Sequence, residues 1–173
     1  DAPYTITGSA GVDTITSSIG ADLITGGGGA DVFTFTAANM GVAGYGATTS
    51  VSTAALDVVN IVNADNDTVD LTSVLATQAN YDAFTAVSGG GNIVGTVVAG
   101  TNSSGTVSLV VGIYDAAANT FTSTNQALGT SNAVLVGAAA ADAGTTATDS
   151  IVLVGATGLV AGDFAITNGI ITV

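Results

Sequence analysis

The chain has 173 residues, enough for one domain with a substantial hydrophobic core or for two small domains. Its acidic side chains are thirteen aspartates, and it contains no glutamate, lysine, arginine, histidine or cysteine. This composition excludes disulfides, salt bridges to basic side chains, and the positively charged surface that nucleic-acid binding requires.

The same composition argues against an enzyme. The chain has no histidine, lysine, cysteine or glutamate to serve as a general base, a nucleophile or a metal ligand. A pair of aspartates can in principle hydrolyse a glycosidic bond. Every aspartate here, however, has a simpler role in a turn or in a metal-binding loop. We therefore predict that the protein is not an enzyme.

Hydrophobic residues make up 47% of the chain, and the mean hydropathy is +0.63. No apolar run approaches the roughly 18 residues that cross a membrane, so we predict no membrane span. A chain with so few charges is expected to bury apolar surface between subunits as well as within them. The composition therefore predicts a homo-oligomer or a polymer.

Three nine-residue blocks follow one another at residues 8–16, 17–25 and 26–34. Each block has glycine at its fourth position, aspartate at its sixth, a large apolar residue at its eighth and threonine at its ninth. This register matches the G-G-x-G-x-D-x-U-x nonapeptide, which forms a parallel β-roll around calcium. The repeated residues are Gly11, Gly20 and Gly29, then Asp13, Asp22 and Asp31, then Ile15, Ile24 and Phe33.

The spacing of the blocks predicts which turns lie together. Glycines permit the tight backbone of a turn, and the middle residue of each strand triplet points into a core. Two blocks complete one coil, so Asp13 and Asp31 are predicted to face each other on one edge of the roll. Two adjacent carboxylates repel unless a cation lies between them. Calcium suits this gap because it accepts six to eight oxygen ligands, including backbone carbonyls.

Asp22 lies on the opposite edge, where its stacking partner by the same count is Met40. The second site is therefore predicted to be incomplete, and either unfilled or completed by another segment or another subunit. On this count the run makes one and a half coils. We predict a β-roll domain at residues 1–40 and a β-rich domain at residues 41–173.

A second acidic stretch follows a predicted strand at residues 57–62, which would extend or cap the roll. It holds Asp65, Asp67 and Asp70. One interpretation is a further calcium loop, although not an EF-hand, because the required glycine and glutamate are absent from positions six and twelve. The other is a polar turn followed by a helix N-cap at Thr72 or Ser73. The sequence leaves both open.

Residues 72–87 show apolar residues near helical spacing, which predicts one or two short helices, the second at residues 81–87 after an Asn80 cap. The rest of the chain predicts strands. We expect a hairpin of 93–99 with 106–114, a turn at 115–119 leading into 120–124, strands at 133–136 and 150–154, and a terminal hairpin about Asn168-Gly169. The predicted fold is all-β, a short calcium-binding parallel β-roll followed by a β-sandwich or meander.

The three blocks resemble the repeats-in-toxin (RTX) family of calcium-binding proteins from Gram-negative bacteria. The resemblance implies type I secretion, an extracellular or cell-surface location, and folding triggered by extracellular calcium. It also implies that the three aspartates and the glycines of the blocks hold the metal. The sequence pattern of residues 112–122 and 149–166 resembles that of the C-terminal regions of type I-secreted surface proteins, including S-layer proteins.

Three functions follow as hypotheses. The first is a structural subunit of a calcium-dependent extracellular assembly, an S-layer lattice or a filament, with cell-surface polysaccharide as a further partner. The second is a C-terminal calcium-folding and secretion module of a larger exoprotein such as a protease, lipase or adhesin. The third is a flat threonine array, formed by Thr16, Thr25 and Thr34, that binds ice or glycan.

Overall fold

The computed structural model describes residues 2–36, 41–44, 50–62, 65–73, 84–85, 93–98, 105–123, 132–140, 147–155, 165–167 and 170–173. These residues form sixteen strands and no helix. The predicted all-β fold is confirmed for this part of the chain.

The strands fall into an eleven-stranded sheet and a five-stranded sheet. In chain order they are β1 (Thr5–Thr7), β2 (Thr14–Thr16), β3 (Leu23–Thr25), β4 (Val32–Thr34), β5 (Gly41–Gly44), β6 (Ser50–Ser52), β7 (Asp57–Asn60), β8 (Thr68–Asp70), β9 (Phe84–Thr85), β10 (Ile93–Val98), β11 (Gly105–Asp115), β12 (Thr120–Ser123), β13 (Ala133–Ala140), β14 (Ala147–Val154), β15 (Ala165–Thr167) and β16 (Ile170–Thr172).

The first four strands form the predicted parallel β-roll. The chain alternates between the two sheets, so β1 pairs with β3 in one and β2 pairs with β4 in the other. The pairing joins residues 18 apart, as in Ile6 with Ile24 and Ile15 with Phe33. Both pairings are parallel, which confirms that two nonapeptides complete one coil.

The roll extends past residue 40, which corrects the predicted length of one and a half coils. Strand β7 pairs in parallel with β3, and β8 pairs in parallel with β4, giving a third coil. The count by 18 fails here because residues 35–56 are inserted between the fourth and fifth strands of the roll. A division into two domains stays a prediction, but the roll includes residues on both sides of the proposed boundary.

The middle residue of each strand triplet lies inside the roll, as alternation along a strand requires. Ile24, Phe33, Val59 and Val69 are fully buried. A side chain as large as Phe contributes on the order of 2 kcal/mol when buried, so these residues hold the two sheets together.

Strand β7 is buried on both faces and joins the roll to the rest of the protein. Val59 lies inside the roll, while its neighbour Val58 belongs to a second apolar cluster on the outer face of the strand. On its other edge β7 pairs in parallel with β14. The second cluster consists of Leu56, Val58, Phe121, Ala133, Leu135 and Val152.

Beyond β14 the eleven-stranded sheet is antiparallel, in the order β14, β13, β11, β10 and β9. The predicted hairpins are confirmed: β10 pairs with β11, β11 with β12, and β15 with β16. Strands β13 and β14 are longer than predicted. Strand β16 pairs with β8 and β15 pairs with β16, so these two strands extend the second sheet of the roll beyond β8.

The predicted helical region needs one correction. Phe84 and Thr85 form β9 and pair with Val97 and Thr96, so the helix predicted over 81–87 is wrong at these two residues. Phe and Thr favour strands, and the edge of β10 offers them backbone partners. Residues 74–83, 86 and 87, including Asn80, lie outside the described residues. Within the described part, no helix is long and apolar enough to cross a membrane.

Candidate metal centre

The turns of the roll stack through one repeated hydrogen bond. A backbone N–H in one coil donates to the Oδ1 atom of the aspartate in the next coil. The bonds are Tyr4 to Asp22 at 2.8 Å, Asp13 to Asp31 at 2.9 Å, Asp22 to Asp57 at 2.7 Å and Asp31 to Asp67 at 3.0 Å. They define a first ladder of Asp13, Asp31 and Asp67 and a second ladder of Tyr4, Asp22 and Asp57.

The first ladder contains the predicted pair and one further residue. The structure stacks Asp13 on Asp31, as the spacing of the blocks indicated. It also places Asp67 one coil beyond Asp31. The sequence selected Asp67 as part of a separate loop. It is instead the third member of the same ladder.

The second ladder corrects the prediction that Asp22 lacks a partner within the chain. Asp57 occupies the position that the count assigned to Met40, and its side chain is fully buried. A local signal for Asp57 was present in the sequence. Like Asp22, it immediately precedes a strand triplet whose middle residue is large and apolar.

The second carboxylate oxygen, Oδ2, distinguishes the five aspartates. Four of them accept a hydrogen bond there from a protein donor. Asp13 accepts from Ser9 N at 2.6 Å and Ser9 Oγ at 2.9 Å, Asp22 from Ser18 N at 3.2 Å and Ser18 Oγ at 2.8 Å, Asp57 from Ser17 Oγ at 2.5 Å, and Asp67 from Val62 N at 3.0 Å.

Asp31 is the exception. Its side chain is fully buried, and its Oδ2 atom has no hydrogen-bond partner among the described residues. Gly27 stands where the other two blocks have Ser9 and Ser18, so the side-chain donor is missing. A buried carboxylate oxygen without a partner is costly unless a cation or a proton neutralises it. The structure therefore leaves one position in the ladders suited to a bound cation.

The turn that holds Asp31 is Gly26-Gly-Gly-Gly-Ala-Asp31, which has the complete nonapeptide pattern. The Asp31 carboxylate occupies the space where Gly26 would otherwise carry a Cβ atom. At the fourth position of the blocks, Gly20 has φ +139° and Gly29 has φ +99°. A positive φ is thus found at this position in the second and third blocks, whereas Gly11 in the first does not have it.

The donor set fits calcium. The ladders offer carboxylate, hydroxyl and backbone carbonyl oxygens, which a hard divalent cation prefers over nitrogen or sulfur ligands. No group of three or more acidic side chains converges within the described part of the chain. An ion bound at Asp31 would therefore take most of its ligands from backbone carbonyls of the glycine-rich turns.

The residues of the second acidic stretch separate in the structure. The Asp65 carboxylate accepts a hydrogen bond from Gly29 N at 3.3 Å, so Asp65 borders the turn that holds Asp31. Asp70 lies at the far end of β8, about 10 Å along the strand from Asp67. Its carboxylate accepts from Thr72 N at 2.9 Å, a local turn contact. Asp65 and Asp67 thus lie beside the candidate centre, and Asp70 does not join them.

Hydrogen bonds and burial shift the acidities of the ladders in opposite directions. Backbone and side-chain bonds from Ser9 lower the pKa of Asp13. Burial acts to raise the pKa of Asp22, but the bonds from Tyr4, Ser18 and Ser17 together lower it. Burial raises the pKa of Asp57 to about 6, and burial also raises that of Asp67.

These shifts predict how stability depends on pH without calcium. A carboxyl whose pKa rises on folding stabilises the fold fully below its unfolded value of 3.8, and this contribution is lost as the pH rises through about 6. Calcium-depleted protein should therefore melt at a higher temperature at about pH 5 than at about pH 7.5. Asp57→Asn should remove most of the difference, and differential scanning calorimetry measures both. An unchanged difference in the variant would contradict the assignment to Asp57, which faces Asp22 and Ser17.

Comparison with known families agrees with this geometry. Residues 5–37 match the model of the RTX calcium-binding nonapeptide repeat, in four copies. The match includes strands β1 to β4 and the turn that holds Asp31, and it ends before β7 and β8. No curated protein matches the chain. Residues 5–37 are therefore RTX calcium-binding nonapeptide repeats, and they form the first part of a β-roll that the chain completes with residues 57–70.

Proposed function

We propose that the protein is a non-catalytic structural subunit of a calcium-dependent extracellular assembly, an S-layer lattice or a filament. The observation that carries this proposal is the open end of the roll, defined as β1, β2 and the residues that flank them. Among the described strands, β1 pairs with β3 alone and β2 pairs with β4 alone. Both sheets therefore end here in an edge strand, and an edge strand offers unpaired backbone groups to another chain.

Apolar side chains surround this open end. Val12 is 71% exposed, and Tyr4 and Ile19 are each 54% exposed. Tyr4 precedes β1, Val12 precedes β2, and Ile19 lies in the turn that follows β2. Apolar exposure next to two open sheet edges is typical of a surface that another molecule covers.

The charge of the chain makes contact between copies dependent on cations. Each copy carries a formal charge of −13 with no positive side chain, so two copies repel each other at low ionic strength. Calcium bound at Asp31 reduces this charge and stiffens the roll that presents the edge strands. RTX repeats are typical of secreted proteins, where calcium is abundant, which supports an extracellular location in a Gram-negative bacterium.

Light scattering and electron microscopy of the full chain with and without calcium test the proposal. We expect ordered oligomers or arrays with calcium and dispersed protein after chelation. Val12→Ser should weaken assembly because it removes apolar surface at the open end. Ile113→Ser is the matched control, since Ile113 is 46% exposed on β11, outside the roll.

A chain that binds calcium and yet stays monomeric at high concentration contradicts the proposed assembly. That result is what the second hypothesis, a calcium-folding module of a larger exoprotein, predicts. Equal loss of assembly in the Val12 and Ile113 variants would contradict the role of the open end.

A further inference from the structure

We infer that serine donors replace calcium in two of the three repeat turns, so that the roll binds a single calcium ion, at Asp31. This inference rests on the proposed calcium binding and adds where the ion binds and where it does not. The turns 8–13 and 17–22 would then be fixed by hydrogen bonds alone, whereas the turn 26–31 requires the metal.

The turn 8–13 shows the substitution directly. Ser9 donates both its backbone N–H and its hydroxyl to Asp13 Oδ2, at 2.6 and 2.9 Å. Two donors on one carboxylate oxygen supply the positive electrostatic environment that a cation would otherwise provide. A calcium ion at this oxygen would have to displace both bonds.

In the second ladder, serine donors likewise bond the Oδ2 atoms of both carboxylates, Asp22 and Asp57. Ser18 donates its N–H and hydroxyl to Asp22 Oδ2, at 3.2 and 2.8 Å. The adjacent Ser17 donates its hydroxyl to Oδ2 of Asp57 in the next coil, at 2.5 Å. The Ser17-Ser18 pair therefore provides a donor to both acidic members of this ladder.

The turn 26–31 lacks these donors. Its first four residues are glycines, and Asp31 Oδ2 is buried without a hydrogen-bond partner in the described structure. The next member of the first ladder, Asp67, already accepts from Val62 N. Within the described structure, Asp31 is thus the one ladder carboxylate with a buried oxygen that has no protein donor.

Calcium titration of the full chain, by calorimetry and by native mass spectrometry, tests the inference. Wild-type protein should bind about one ion per chain tightly. Asp31→Asn should bind none. Asp22→Asn should keep the wild-type stoichiometry and affinity, within about twofold, while its calcium-free melting temperature falls because a hydrogen-bonded carboxylate oxygen is lost.

A gain of function provides the converse test. The double variant Ser17→Gly and Ser18→Gly gives the second block the complete Gly-Gly-x-Gly-x-Asp pattern and removes the serine hydroxyl donors to the Oδ2 atoms of Asp22 and Asp57, while the backbone N–H of residue 18 remains. It should bind about two ions per chain. Combining it with Asp31→Asn should leave about one.

The possible outcomes distinguish the single-ion inference from the proposal that the roll binds calcium at all. Tight binding of two or more ions by the wild type, with one lost in Asp22→Asn, overturns the inference and leaves calcium binding intact. Binding of no ion by the wild type overturns the proposed calcium dependence itself. The Asp22→Asn measurement decides the first question even if the double glycine variant fails to fold.

Discussion

Asp31→Asn is expected to abolish the stabilisation that calcium gives to the protein. At a free calcium concentration about 100 times the dissociation constant, an ion bound only to the folded state contributes about 2.7 kcal/mol. The variant should lose all of this, because Asp31 Oδ2 is the buried ladder oxygen that has no protein donor and is therefore the proposed calcium ligand. Thermal unfolding with and without calcium measures the effect.

The calcium-free variant should be no less stable than the calcium-free wild type. The substitution removes a buried carboxylate oxygen with no protein partner, and such a group destabilises the fold when it is charged. Asp70→Asn is the matched control within the same roll, because the Asp70 carboxylate has a local partner in Thr72. If Asp70→Asn removed the calcium response as completely as Asp31→Asn, the placement of the ion would be wrong.

Gly27→Ala is expected to destabilise the protein by about 3 kcal/mol, whereas Gly28→Ala should change stability by no more than about 0.5 kcal/mol. Gly27 has φ +111°, and a Cβ atom there would overlap the backbone oxygen of Ser9 in the preceding coil. A Cβ atom at Gly28 would meet nothing closer than Ala10 O at 3.7 Å. The two glycines are adjacent in one turn and both variants add the same methyl group, so a difference in stability reports the backbone conformation and the space at each position.

Chemical denaturation of the two variants, with calcium held constant, checks this difference. The expected loss corresponds to a fall of about 6–12 °C in melting temperature for Gly27→Ala in a chain of this size. Equal stability of the two variants would contradict the close stacking of the turns 8–13 and 26–31, which is also the geometry that brings Asp13 above Asp31.

The part of the site that follows an unbroken repeat was predictable from the sequence. Asp13 and Asp31 are 18 residues apart with no insertion between them, so the periodicity of the roll alone stacks them. The buried Ile24 and Phe33 follow from the same register. Local hairpin signals, such as Asn168-Gly169 between β-branched residues, identified strand pairs for a similar reason, since each depends on residues close in sequence.

The partners that lie across the insertion were not predictable by counting. Asp22 and Asp57 are 35 residues apart, and the intervening segment hides their common register. Asp67 stacks directly on Asp31 although the two are 36 residues apart, which is two 18-residue repeats rather than one. The spacing from Asp57 to Asp67 is also ten residues, one more than the nine that separate the aspartates of successive blocks. A search for aspartate followed by a strand triplet, rather than for fixed spacing, finds both residues.

The role of the serines was also hidden in the sequence. Because Ser9 and Ser18 depart from the glycine pattern, the first two blocks resemble weakened copies of one calcium motif. Only the hydrogen bonds show that each serine satisfies the aspartate of its own turn. The distinction between a metal-bound turn and a hydrogen-bonded turn therefore depends on side-chain geometry that the repeat pattern does not contain.

The position of the bound ion distinguishes a metal-bound turn at Asp31 from the serine-bonded turns. Anomalous scattering from crystals of the full chain grown with calcium, or with terbium as a substitute, locates the metal in the roll. We predict an ion about 2.3–2.6 Å from Asp31 Oδ2, and none at the Asp13 or Asp22 carboxylate oxygens held by Ser9 and Ser18. An ion bound at those serine-bonded oxygens, with Asp31 left without metal, would contradict the assignment of the calcium site to Asp31.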